Sequence, residues 1–330
     1  MRIPGLALVL VAAVPAAACD ICAVYTATEL RESKTGFRLG VAEQLTTYGT
    51  LQRDGHHVAN PANEHLTSSI TQVLFGYNFH PRVGVQLNLP LVSRTFRRAT
   101  SAGIEHDDET GVGDLSLLAN VLAFDRVSEE SVFRLTLLGG LKLPSGDSSR
   151  LGEEANEGHA PAAEPVAAHA AHPRGADAAG VESGIHGHDL ALGSGSVDGL
   201  VGGALFWSWR RLFVTAGGQY ALRTEGDFAY RYANDLTWLA GPGTFAVLTH
   251  EASLAVQVLV TGETKGNDEL DGVKANDTGV TSLFAGPAFA LTWRTSLNAE
   301  LAADLPVVRH NTALQIVPDY RLRGAFTWRF

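Results

Sequence analysis

YRLRGAFTWRF, residues 320–330, decides how this chain is read. As an extended strand it places Tyr320, Leu322, Gly324, Phe326, Trp328 and Phe330 on one face, and Arg321, Arg323, Ala325, Thr327 and Arg329 on the other. One face is aromatic and the other cationic. In a water-soluble sandwich such a strand would be half buried. In a membrane wall it would turn the aromatic face to lipid and the arginines to a lumen. The segments upstream choose between the two.

Period two recurs along most of the chain. TQVLFGYNF (71–79) sets Thr71, Val73, Phe75, Tyr77 and Phe79 against Gln72, Gly76 and Asn78, and after only HPR the run VGVQLNLPLVS (83–93) repeats the pattern. About twelve such segments occur in all, near 36–50, 66–79, 83–99, 111–124, 132–144, 196–209, 212–224, 231–248, 252–264, 278–293, 296–308 and 318–330. Short links (HPR, DRVSEES, RR, THE, RT) take turns with longer polar ones around 51–65, 99–110, 145–195, 225–230, 265–277 and 309–317. That alternation of short and long connections marks a transmembrane barrel, with short turns on the periplasmic side and loops outside. Beyond the N-terminus no run reaches the roughly 20 apolar residues that a spanning helix needs. The expected fold is all-β: a single antiparallel transmembrane β-barrel of about 12 strands over 36–330, in the outer membrane of a Gram-negative bacterium.

Barrel geometry gives the polar faces a meaning. An Arg or Lys facing lipid at mid-depth costs about 2–4 kcal/mol. Arg38, Arg94, Arg134, Lys142, Glu300, Asp304, Arg321 and Arg323 are therefore expected to point into a watery lumen. Arg321, Arg323 and Arg329, with Arg38 after closure, suggest a basic wall facing an acidic one of Glu300 and Asp304. Trp207, Trp209, Trp238, Trp293 and Trp328 lie near strand ends, where interfacial girdles sit. Phe330 at the end of such a strand resembles the signal read by the barrel-assembly machinery.

The N-terminus carries different signals. Residues 1–18 read as a secretory leader: Arg2, an apolar centre Leu6 to Val14, and the small residues Ala16 to Ala18. A short periplasmic segment, 19–35, helical in character, would then open on Cys19-Asp20-Ile21-Cys22. Those thiols can close a disulfide, bind a soft metal, or leave Cys19 for lipidation, and the segment could dock a periplasmic partner. The insert 148–195 is rich in Ala, Gly, Pro, His and acids, with almost no aromatics, and is expected to be a disordered extracellular loop. It holds His159, His169, His172, His186 and His188 among carboxylates, a mixture that suits zinc, copper or nickel. No cofactor is certain on these grounds. The net charge of −10 argues against nucleic acid. HDDET (106–110) sets acids beside a histidine, but no nucleophile or second motif accompanies it, so no enzyme is expected.

GVGDLSLLANVLAF (111–124) and FRLTLLGGLKLPSGD (133–147) resemble one outer-membrane family. A Gly-Asp opening a strand (Gly113, Asp114) and a strand ending Leu143-Pro-Ser-Gly-Asp147 are similar to the family named for phenol meta-pathway degradation, often called transporter-like. The resemblance implies a barrel passing small compounds, often aromatic or apolar. The 148–195 insert and the Cys-Asp-Ile-Cys start depart from that pattern. The leading expectation is therefore a channel or transporter for a small solute, with outer-membrane lipid and the permeant as its partners. Two rivals stand beside it: a surface metal-binding protein that uses the barrel as an anchor, and a structural or adhesive barrel.

Overall fold

The computed structural model describes residues 35–157, 182–294 and 296–330. Twelve strands close into one antiparallel barrel. They are β1 (Gly36–Arg53), β2 (His65–His80), β3 (Val83–Thr100), β4 (Gly103–Val112 and Leu115–Val127, broken at Gly113-Asp114), β5 (Ser131–Leu143), β6 (Asp198–Trp209), β7 (Leu212–Leu222), β8 (Asp235–Leu248), β9 (Ala252–Lys265), β10 (Val280–Trp293), β11 (Leu297–Asn311) and β12 (Leu314–Arg329). β12 pairs with β1 from Arg38 opposite Arg329 to Arg53 opposite Leu314, and this seam removes both sheet edges. The aromatic terminal strand thus seals the cylinder.

Alternation sorts the side chains. Outside, Phe37, Phe79, Trp207, Trp209, Trp293, Trp328 and Phe330 are 44–64% exposed and ring the end that carries the short turns. Inside, Gln72, Asn88, Thr136, Gln219, Asp304 and Thr327 are buried. The lipid face therefore collects what water rejects, and the lumen collects what lipid rejects.

Two expected outer loops are strands. β3 and β4 run on as a hairpin that turns at 101–102, so 99–110 is paired chain. β11 and β12 likewise extend to a turn at 312–313, which makes most of 309–317 strand. Both stretches sit above the apolar band, where each sheet face meets water or polar groups. Hydrophobic alternation disappears there while the ladder continues, and polarity alone misread them.

One carboxylate faces outward. Glu43 pairs with Thr71, whose neighbours Ile70 and Gln72 point inward, and Ile70 packs against Val92 and Leu192 inside the barrel. Glu43 accepts hydrogen bonds from Ser69 Oγ at 2.6 Å and Thr71 Oγ1 at 2.5 Å. The hydroxyls partly replace the solvation that this acid loses on the lipid-facing wall.

Candidate functional site

The site begins where the quoted Gly-Asp and Leu-Pro-Ser-Gly-Asp motifs meet at the outer rim. Asp114 Oδ1 accepts the Gly146 N–H at 3.0 Å, and Ser145 Oγ donates to the Gly113 carbonyl at 3.0 Å. The Asp147 carbonyl takes the N–H groups of Leu192 and Gly193 at 2.9 and 2.8 Å. A Cβ on Gly146 would lie 2.7 Å from the Leu192 carbonyl oxygen, so only glycine lets these two backbones meet. The motifs turn the chain inward over the barrel mouth and clasp the two ends of the insert together.

A belt of buried charge backs this clasp. Lys142 Nζ lies 2.6 Å from Asp114 and 2.9 Å from Asp198, and Ser194 Oγ sits 2.5 Å from the same nitrogen. Arg223 continues the chain of pairs to Asp198 and Asp235, each at 2.7 Å. All five side chains are at most 4% exposed. Alternating signs on β4, β5, β6, the end of β7 and β8 tie that half of the rim into one network.

The insert is not disordered at its ends. Residues 148–157 and 182–195 fold into the mouth as a cap, with helices α1 (Leu151–Glu157) and α2 (Gly187–Leu190). Ile185 and Leu190 pack with Leu51, Leu66, Phe96, Leu314 and Ile316. Leu151 and Ala191 pack with Tyr230 and Tyr232. Composition predicted disorder because the insert has almost no aromatics; β3 and the β7–β8 loop supply them. Glu64, 2% exposed, fastens the cap by accepting hydrogen bonds from Ala99 N at 2.6 Å, Ser183 Oγ at 2.8 Å and Gly184 N at 3.0 Å.

Within the cap His188 is sealed. Its Nδ1 lies 2.8 Å from Glu154 Oε1, and its Nε2 lies 3.4 Å from Asp189 Oδ1. Burial opposes the imidazolium, yet Asp189 and Glu154 outweigh it and push the His188 pKa up to about 10. Burial likewise opposes the Glu154 carboxylate, and His188 outweighs it, holding that acid down at about 2.

Beneath the cap lies a mid-barrel cavity of about 1350 Å³, open solvent included. Gln44, Gln72, Gln219, Gln257, Thr237 and Thr261 supply its polar wall, with Leu259 and Ala288 between them. Arg323 clamps Asp304 with two hydrogen bonds of 2.8 and 2.9 Å. Arg321 donates to Glu263 at 2.8 Å and lies over the Phe284 ring at 4.6 Å. Nearer the short-turn end, Phe206, Phe213 and Phe245 form an inward aromatic cluster, with centroids 5.8 and 5.0 Å apart.

All eight charged residues expected in the lumen point inward, but they do different things. Arg94 is 1% exposed and donates to the Ala191 carbonyl at 2.7 Å, so it holds the cap. Lys142 belongs to the rim belt. Arg134 pairs with Asp125 at 3.0 Å, and Arg38 donates to Gln86 at 2.7 Å, both near the short-turn end. Glu300, Arg321 and Arg323 line the cavity, Asp304 stands behind Arg323, and Asn298 donates to Glu300 at 3.1 Å. The expected opposing walls are not opposed: β11 and β12 are neighbours, and Asp304 is neutralised by Arg323 beside it. His159, His169, His172, Cys19 and Cys22 fall outside the described residues, as does the leader. His186 and His188 come together with Asp189. Sequence reasoning missed the three lumen phenylalanines, because alternation assigns an aromatic residue to lipid wherever the opposite face is weakly polar.

No family model matches the chain, and no curated protein matches it in sequence. Its fold is similar to the COG4313 outer membrane channel from Pseudomonas putida F1, at 14% identity and TM-score 0.58, over 93% of this chain and 100% of that one. Weaker likenesses include the β domain of the Bordetella autotransporter Brka (9% identity, TM-score 0.43, 90% and 100% of the two chains). The CymD monoaromatic hydrocarbon channel is similar at 9% identity and TM-score 0.35, over 90% and 89%. The first shares the fold of an outer-membrane barrel; the others are too distant to add to it.

Proposed function

We propose that this chain is a Gram-negative outer-membrane channel for a small solute of largely apolar, aromatic character. The observation that carries the reading is the layered lumen: a cap across the outer mouth, a cavity below it, and the Phe206, Phe213 and Phe245 cluster lower down. Four of the charges beside the cavity are tied in pairs, Arg323 with Asp304 and Arg321 with Glu263, and Glu300 accepts a hydrogen bond from Asn298. Paired charges leave a weak transverse field, which favours a weakly polar permeant over a small ion. Phenylalanine faces offer such a solute offset-stacked or edge-on contact on its way through.

The test is uptake of a radiolabelled monoaromatic alcohol by intact cells lacking other general porins, with and without this protein. The reading expects faster uptake with the protein and a several-fold loss in the triple variant Phe206→Ala, Phe213→Ala, Phe245→Ala. Equal uptake with and without the protein, at normal barrel levels in the membrane, would sink it.

A further inference from the structure

The structure assigns a metal site to the cap: we propose that His186, His188 and Asp189 bind one divalent transition-metal ion, zinc, copper or nickel, inside the barrel mouth. One donor atom from each of the three lies within 4.8 Å of the other two, so a small inward shift brings them to bonding distance. The two imidazoles are nearly parallel, 8° apart, with centroids separated by 5.4 Å.

Both rings have the same arrangement. His188 turns Nδ1 to the Glu154 carboxylate at 2.8 Å and Nε2 to Asp189 at 3.4 Å. His186 turns Nε2 to the Asp277 carboxylate at 3.8 Å and Nδ1 to Asp189 at 3.8 Å. Each ring thus has an outer nitrogen facing a carboxylate and an inner nitrogen facing Asp189. Carboxylates behind histidines orient the ring and raise its basicity in metal sites. Among the described residues His186 Nδ1 is enclosed and no side chain or backbone group is within hydrogen-bond reach of it, which leaves its lone pair open to a metal. The nearby cation Lys265 is engaged by Asp268 at 2.6 Å. Binding displaces the His188 proton while Glu154 stays its Nδ1 partner, and a solvent molecule completes the fourth position. Nitrogen and carboxylate donors select zinc, copper or nickel over magnesium or calcium. The proposal stands apart from passage through the barrel and does not depend on it.

Calorimetric titration of the untagged, full-length protein in detergent with zinc, and separately with copper and nickel, tests the site. Expected is one ion per chain, with His186→Ala and Asp189→Asn each raising the dissociation constant at least tenfold. Glu154→Gln should weaken binding by about 10–100-fold through loss of ring orientation. Deleting 159–176, which removes His159, His169 and His172, should leave binding unchanged. Absence of binding overturns the proposal, and so does binding that survives both point variants or vanishes on the deletion. X-ray absorption on the metal-loaded wild type covers variants that fail to fold. Two imidazoles with a carboxylate oxygen are expected; three or more imidazoles would place the ion elsewhere and end the proposal.

Discussion

Lys142 shows what single residues do in this wall. Its ammonium lies between the carboxylates of Asp114 and Asp198, and Arg223 takes the far side of Asp198. Replacing Lys142 by Met leaves two buried carboxylates facing each other, which costs about 3–5 kcal/mol in comparable cases. The urea midpoint of the lipid-reconstituted barrel, followed by tryptophan fluorescence, should fall sharply; an unchanged midpoint would show the belt to be idle. Glu43 predicts the opposite sign. Glu43→Gln can still accept the Ser69 or Thr71 hydroxyl and removes a charge from the lipid face, so the variant should resist thermal unfolding better than the wild type. A lower melting temperature on a heat-modifiability gel would contradict that. Alternation correctly gave the inward direction of Lys142 and Arg323. It could not give their partners, because these depend on strand pairing and register: Lys142 stands opposite Asp198 across the β5–β6 ladder, and Asp114 lies in the break of β4 beside it.

Elements divide into those written in local pattern and those written in contacts. Inside the membrane each strand reads directly, since one face must be apolar and the next residue must not be. Above the membrane that constraint ends, and the β3–β4 hairpin carries Arg98 paired to Glu105 at 2.7 Å, and Arg150 of the cap reaching Glu109 at 2.5 Å. Such a strand looks like a loop in sequence. The cap was the harder case: Ile185, Leu190, Ala191 and Leu192 are few, and their partners Phe96, Tyr230 and Ile70 lie in three other elements. Glu64 is the residue most exposed to test at this scale. Glu64→Ala removes the acceptor for Ala99, Ser183 and Gly184, so amide exchange over 182–195 should quicken while the barrel strands keep their protection. Unchanged exchange would mean that apolar packing alone holds the cap.

At the scale of the whole molecule the described residues stack a cap above a cavity inside the barrel, and in the channel reading proposed above the cap is the stopper of that path. Arg323 tunes that path: Arg323→Ala leaves Asp304, 1% exposed in its side chain, without its clamp. The reversal potential across a salt gradient should then shift toward cation selectivity, and no shift would place Arg323 outside the conducting route. Strand number and closure were legible in the sequence, because a membrane wall imposes period two and alternating link lengths. The stopper was not, because composition does not reveal partners that lie elsewhere in the chain. The most direct measurement is therefore single-channel conductance in planar bilayers, comparing the native protein with a form in which 148–195 is replaced by a short Gly-Ser linker. The account predicts small or rare openings for the native protein and large, sustained steps once the cap is gone. A linker form with native heat-modifiable migration that conducts no better than the wild type would contradict it.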